Sequence, residues 1–174
     1  MRCLLDKVVA RRILLGLLAL AQDREILLPD RAALDFFRRW LHSNQQLYIV
    51  PATANVISRI GQPAYSPIIE YFQNQTEVVR PARYASRWAR RLRDFDFSPE
   101  DAAVLALGTF GTDSRGSFLG THLIATQDER MIHNWIAHQE QIQKRLGAIQ
   151  KDLPRPYREA ELPKVLPPEW IPAA

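Results

Sequence analysis

A chain of 174 residues, 47% hydrophobic and 24% charged, has the make-up of one ordinary globular domain that buries its core without covalent staples. Its single cysteine, Cys3, excludes an intramolecular disulfide framework and suits a reducing, cytoplasmic setting. A formal charge of +4 and a pI near 9.5 lean toward anionic partners, but only mildly.

The first residues, RCLL at 2–5, form a short apolar run closed by Asp6 and predict a central strand. Asp6 is placed to cap the helix that follows, 7–21, whose near-continuous apolar character predicts burial on most sides. The same stretch imitates a secretory signal, with Arg2, Lys7, Arg11 and Arg12 ahead of ILLGLLALA and a cleavage-like ALA before Gln22. Asp6 interrupts that basic region, and nine apolar residues fall well short of a bilayer span. The expectation is a buried strand and helix with no membrane contact; the rival is a secreted protein that loses its first 21 residues.

Pro29-Asp30 opens a second helix, about 30–43, with Leu34, Phe37 and Leu41 on its apolar stripe. LYIV at 47–50 reads as a strand closed by Pro51, ATANVISRI as a short helix ended by Gly61, and 65–74 as another helix. EVV at 77–79 is a third strand, and Pro81 starts a helix running to 93 with Tyr84, Trp88 and Leu92 on one face. Ser98 caps the next helix, Pro99 takes its first turn, and Ala102, Leu105 and Ala106 form its buried face. The four-glycine segment 108–120 follows a helix rather than a strand, so it reads as a flexible loop and not a phosphate cradle. HLIAT at 122–126 is a fourth strand, a helix runs from about 128 to 150, and KVL at 164–166 is a last strand within a proline-rich tail that starts near 152. Alternating strands and helices predict one α/β domain over 1–174, a three-layer α/β/α sandwich around a mainly parallel sheet.

Ligands of open parallel sheets gather at the carboxyl ends of the strands. Asp6 follows the first strand, Asp128 lies two residues past the fourth, and Asp101 opens a helix packed beside them in this architecture. Three carboxylates meeting there make an oxygen-rich site for Mg²⁺ or Mn²⁺, an ion that activates water and offsets the charge of a phosphodiester under attack. The plain alternative is helix capping. Ser98-Pro99-Glu100-Asp101 resembles a capping box, Thr126 to Glu129 fits one better with Thr126 as cap and Glu129 reaching back, and Asp6 is an adequate cap alone. Asp113 and Arg115 stand as candidates for bordering the same edge. His122, His133 and His138 lack the spacing of a helical zinc pair, and His42 is remote from them.

The order of these parts resembles the PIN-domain family of small metal-dependent ribonucleases, which includes toxins of bacterial toxin–antitoxin pairs. The resemblance rests on LLDKVV, LYIVPATANVI, FSPEDAAVLALG, LIATQDERMI and the closing VLPPEWI, and covers nearly the whole chain. It implies a PIN-like fold in which Asp6, Asp101 and Asp128 are the first, third and fourth metal-binding acids and Thr126 is the hydroxyl residue preceding the fourth. The family's second acid, a Glu, falls on Asn55, a neutral carbonyl donor that cannot act as a base. Lys7 and Val8 stand where the family has a small polar residue and Asn, which places a cation beside the acids as a competitor for metal. Glu100, on the helix that carries Asp101, points about 100° away from it and reads as a solvent-side residue.

Arg83, Arg87 and Arg90 fall at i, i+4 and i+7 of the helix predicted over 81–93. They form either a phosphate-tracking line for RNA, or a docking surface for an acidic partner, or simply the charged outer face of an amphipathic helix whose Tyr84 and Trp88 face the core. The partners implied are therefore RNA and a cognate antitoxin or other protein, with a second copy of the chain as a further candidate. The leading functional expectation is an RNA-cleaving enzyme, and its rival is a catalytically silent PIN-like module that binds RNA or protein.

Overall fold

The computed structural model describes residues 1–43, 45–60 and 62–172. Strands β1 (Arg2–Leu5), β2 (Gln46–Ile49), β3 (Thr76–Val78), β6 (Leu123–Ala125) and β7 (Lys164–Leu166) form one sheet in the order β3-β2-β1-β6-β7. Every pairing in it is parallel, with Cys3 opposite both Leu47 and Leu123. β1 is central and buried on both faces, which is why its three apolar residues run consecutively rather than alternating.

Helices α1 (Lys7–Ala21), α2 (Leu28–Leu41), α3 (Pro51–Ile57) and α4 (Ser66–Asn74) cover one face, where Leu5, Ile13, Phe37, Ile49 and Phe72 share a core. Helices α5 (Ala85–Leu92), α6 (Pro99–Phe110) and α7 (Glu129–Gln150) cover the other, around Leu4, Trp88, Leu105, Ile124 and Trp135. Right-handed crossovers require this division: the chain moves outward from β1 to β2 and β3 with helices on one face, and in the opposite direction to β6 and β7 with helices on the other. The three-layer α/β/α sandwich expected from the sequence is therefore present, and its topological switch point lies between β1 and β6.

Two elements differ from expectation. The helix predicted over 81–93 starts only at Ala85, because Arg80–Pro81 (β4) is taken up by antiparallel pairing with Gly111–Thr112 (β5). Gly111 is required there, since a Cβ would run into the Leu107 carbonyl and Val79. The glycine-rich segment after α6 is not free: Ser114 donates from backbone and hydroxyl to Glu77, and Phe118 stacks on Tyr48 beneath the Arg2 guanidinium. The signal-like run is the greater part of α1, packed on α2, and no helix among the described residues is long and apolar enough to cross a membrane. The short helix after β2 ends at Ile57; Gly61, the residue expected to end it, lies outside the described residues.

Candidate metal centre

The carboxyl ends of β1 and β6 are joined beyond the sheet itself. The Asp6 amide donates to the Ala125 carbonyl at 3.0 Å, and the Thr126 amide donates to Leu166 at 3.1 Å, so both ladders continue into the site. Thr126 is fully buried, and its hydroxyl donates to Asp6 Oδ2 at 3.0 Å while accepting from the Asp128 amide at 3.1 Å. One hydroxyl thus fixes the first and last acids to each other. Asp6 is 8% exposed and also accepts from the Lys7 amide at 2.7 Å as the cap of α1.

Asp101 enters from the start of α6. Its amide donates to Ser98 Oγ at 3.1 Å, and the Ser98 hydroxyl donates back to Asp101 Oδ2 at 2.7 Å. Only half of the expected capping box is present: Ser98 caps α6, but Asp101 accepts from the Ser98 hydroxyl rather than from its backbone amide. At α7 the expectation needs correction. Asp128, not Thr126, is the cap, accepting from the Met131 amide at 3.0 Å, and Thr126 is occupied inside the site instead. Asp101 Oδ1 and Asp128 Oδ2 accept no hydrogen bond among the described residues, so each carboxylate has one oxygen left over.

Burial raises the Asp6 pKa above its ordinary value; the Thr126 hydroxyl and Lys7 amide oppose this, and the charges of Asp101 and Asp128 add to it. The three carboxylates therefore share one electrostatic field. Among the described residues no three His, Cys, Asp or Glu side chains stand together as a ligand set, so the acids are neighbours in charge rather than a closed cage.

Lys7 does not lie against Asp6 or Asp101. Its ammonium reaches Glu100 at 2.5 Å, and the two side chains are 55% and 58% exposed. That bond raises the Lys7 pKa, with smaller contributions from the charges of Glu100, Asp6 and Asp101. Glu100 is solvent-side, as its helix position implies, but it also holds Lys7 at the rim. Asn55 sits exposed on α3 off the end of β2, and its side-chain amide makes no hydrogen bond among the described residues. Its buried neighbour Thr53 has a hydroxyl without a partner, a feature that nothing in the local sequence announces.

Asp113 and Arg115 are not part of this end. With Gln46, Glu77, Val78 and Arg80 they line a separate cavity of about 570 Å³ beside the edge strand β3. Of the predicted arginine line, Arg87 and Arg90 are exposed on α5, while Arg83 lies in the turn before it with its guanidinium over the Tyr84 ring. None of the three pairs with an acid among the described residues. Arg83 sits near the far end of α6, since the Ala82 amide bonds the Phe110 carbonyl, whereas Arg90 lies in the last turn of α5, seven residues further along the chain. The aromatic face is core, with Trp88 Nε1 bonded to Thr109 and Tyr84 packed on Phe110 and Tyr157. No protein-family model, curated protein or solved structure matches the chain.

Proposed function

We propose that the chain is a PIN-like endoribonuclease that depends on Mg²⁺ or Mn²⁺ held by Asp6, Asp101 and Asp128, with Asn55 at the position of the missing acid. The observation that carries this reading is the Thr126 hydroxyl, buried at the switch point and bonded to both Asp6 and the Asp128 amide. The donor set fits a hard cation: oxygen ligands only, two of them with free lone pairs, and a buried carboxylate whose charge lacks a counter-ion. When bound, such an ion supplies Lewis-acid chemistry for phosphodiester hydrolysis. Thr126 orients Asp6, Ser98 orients Asp101, and the Met131 amide orients Asp128. Arg87 and Arg90 present unpaired positive charge for the RNA backbone. The same reading places the protein in a reducing, cytoplasmic compartment, with RNA as substrate and an antitoxin or other protein as regulator.

A specific observation favours a second reading, a silent PIN-like module that binds RNA or protein: the neutral, exposed Asn55 leaves the centre one carboxylate short. Calorimetry with Mn²⁺ and Mg²⁺ on the wild type and Asp101→Asn separates the two. Binding that the substitution removes, together with metal-dependent cleavage of single-stranded RNA, supports the nuclease. Absence of binding up to several millimolar metal sinks it and leaves the module.

A further inference from the structure

Lys7 is the one cation in ionic contact with the acidic end among the described residues, and it follows Asp6 directly in the chain. Its side chain, bonded to Glu100, links the start of α1, directly after Asp6, to the start of α6, directly before Asp101. An ion pair this exposed adds little to the stability of a fold, so a purely mechanical strut is a weak account of it. Charge gives a better one. Asp6, Glu100, Asp101 and Asp128 place four carboxylates here, so one divalent ion and Lys7 leave the end one charge negative, and without Lys7 it is two negative. A phosphodiester, itself an anion, approaches the first surface far more readily than the second. The absence of a carboxylate at Asn55 works in the same direction, since it removes the charge that would hold a second divalent ion.

We propose that Lys7 binds the phosphodiester directly and supplies the second positive charge of the centre in place of a second metal ion, with Glu100 holding its ammonium at the rim until the substrate arrives. The flexible four-carbon stem lets the ammonium exchange Glu100 for a phosphate oxygen without moving the backbone. The proposal rests on the nuclease reading for its metal, but the phosphate contact is measurable without one.

The experiment follows a fluorescent single-stranded oligoribonucleotide by anisotropy in EDTA over a range of salt, with Mn²⁺ calorimetry alongside. It uses the full chain as wild type, Lys7→Gln, Lys7→Arg and Glu100→Gln. Loss of one phosphate contact lowers the slope of log affinity against log salt by about 0.7 for a single strand. The expected result is that slope change, with severalfold weaker oligonucleotide binding and tighter Mn²⁺ binding, in Lys7→Gln. Lys7→Arg restores the slope, and Glu100→Gln, which breaks the same ion pair but frees the ammonium, binds the oligonucleotide at least as well as wild type. An unchanged slope in Lys7→Gln, equal weakening by Lys7→Gln and Glu100→Gln, or no oligonucleotide binding by the wild type overturns the proposal. Failure of Mn²⁺ to bind any variant while Lys7→Gln still flattens the slope removes the nuclease reading and leaves the phosphate contact standing.

Discussion

The two ends of the parallel sheet are built from the same strands and behave oppositely. At the carboxyl end, Asp6 and Asp128 cap α1 and α7, Asp101 stands in the first turn of α6, and their negative charge gathers around a buried hydroxyl. At the amino end, Arg2 lies over Phe118, Phe118 stacks on Tyr48, Tyr48 donates to Gln46, and His122 Nδ1 accepts from the Arg2 amide. The first end leaves carboxylate oxygens unused, whereas the second is closed by the loop after α6 and keeps its leftover polar atoms, Arg2 Nε and Gln45 Oε1, buried without a partner among the described residues. Helix starts explain the difference. Helices α1, α6 and α7 begin at the carboxyl end, where their first amides draw acids.

Substitutions that keep shape but alter one end should break this contrast or sharpen it. Thr126→Val should have the largest effect, because it strips a partner from both Asp6 and the Asp128 amide inside the protein. A loss of about 1–3 kcal/mol in denaturant-measured stability is expected, with metal affinity reduced by about 10- to 100-fold; a neutral outcome would mean that the hydroxyl does not tie the acids together. Phe118→Ala acts on the other end and should cost about 2 kcal/mol, below the range for a fully buried phenylalanine since Phe118 is only partly covered. It should leave metal affinity unchanged, and a change there would show that the two ends are coupled.

Asp101→Asn is the sharper probe of the acidic end. Asn still accepts from the Ser98 hydroxyl, so the melting temperature without metal should hold while metal affinity drops at least about tenfold, or about 1.4 kcal/mol. Equal loss of stability with and without metal would reduce Asp101 to a structural partner of the Ser98 cap. The smallest expected effect concerns His122, whose pKa is lowered by burial and then by the charges of Arg2 and the amino terminus, with Glu161 opposing. The folded state therefore favours the neutral ring, so this contribution to stability is present above pH 6.5 and is lost as pH falls through the depressed folded value. His122→Gln should flatten the pH dependence of unfolding in that interval; an unaltered profile would assign it to other groups.

Local chemistry made much of the carboxyl end legible in the sequence. Asp6 ahead of an apolar helix and Ser98-Pro99 ahead of α6 announce caps whose reach spans three residues, and the uninterrupted RCLL announces a strand buried on both sides. What escaped were features made by distant partners. The late start of α5 depends on Gly111, thirty residues on from Pro81, and the pinning of Ser114 depends on Glu77. Thr126 was identifiable as a hydroxyl near an acid, but its exchange of roles with Asp128 follows from strand pairing across the whole chain. The Lys7–Glu100 pair was hidden for the same reason, since each residue taken alone reads as a charge on an exposed helix start.

The hydrogen bond from Thr126 to Asp6 joins residues 120 positions apart. During synthesis the first acid leaves the ribosome long before its partners exist, and β6 can insert beside β1 only once the chain has passed Asp128. Parallel pairing at such separation is among the slower steps of folding. A partly made chain therefore carries Asp6 without the field of Asp101 and Asp128, and any activity that depends on the three together is absent until the domain is nearly complete. Under the proposed nuclease reading, this timing keeps the acidic end incomplete for as long as the chain is still attached to its own message.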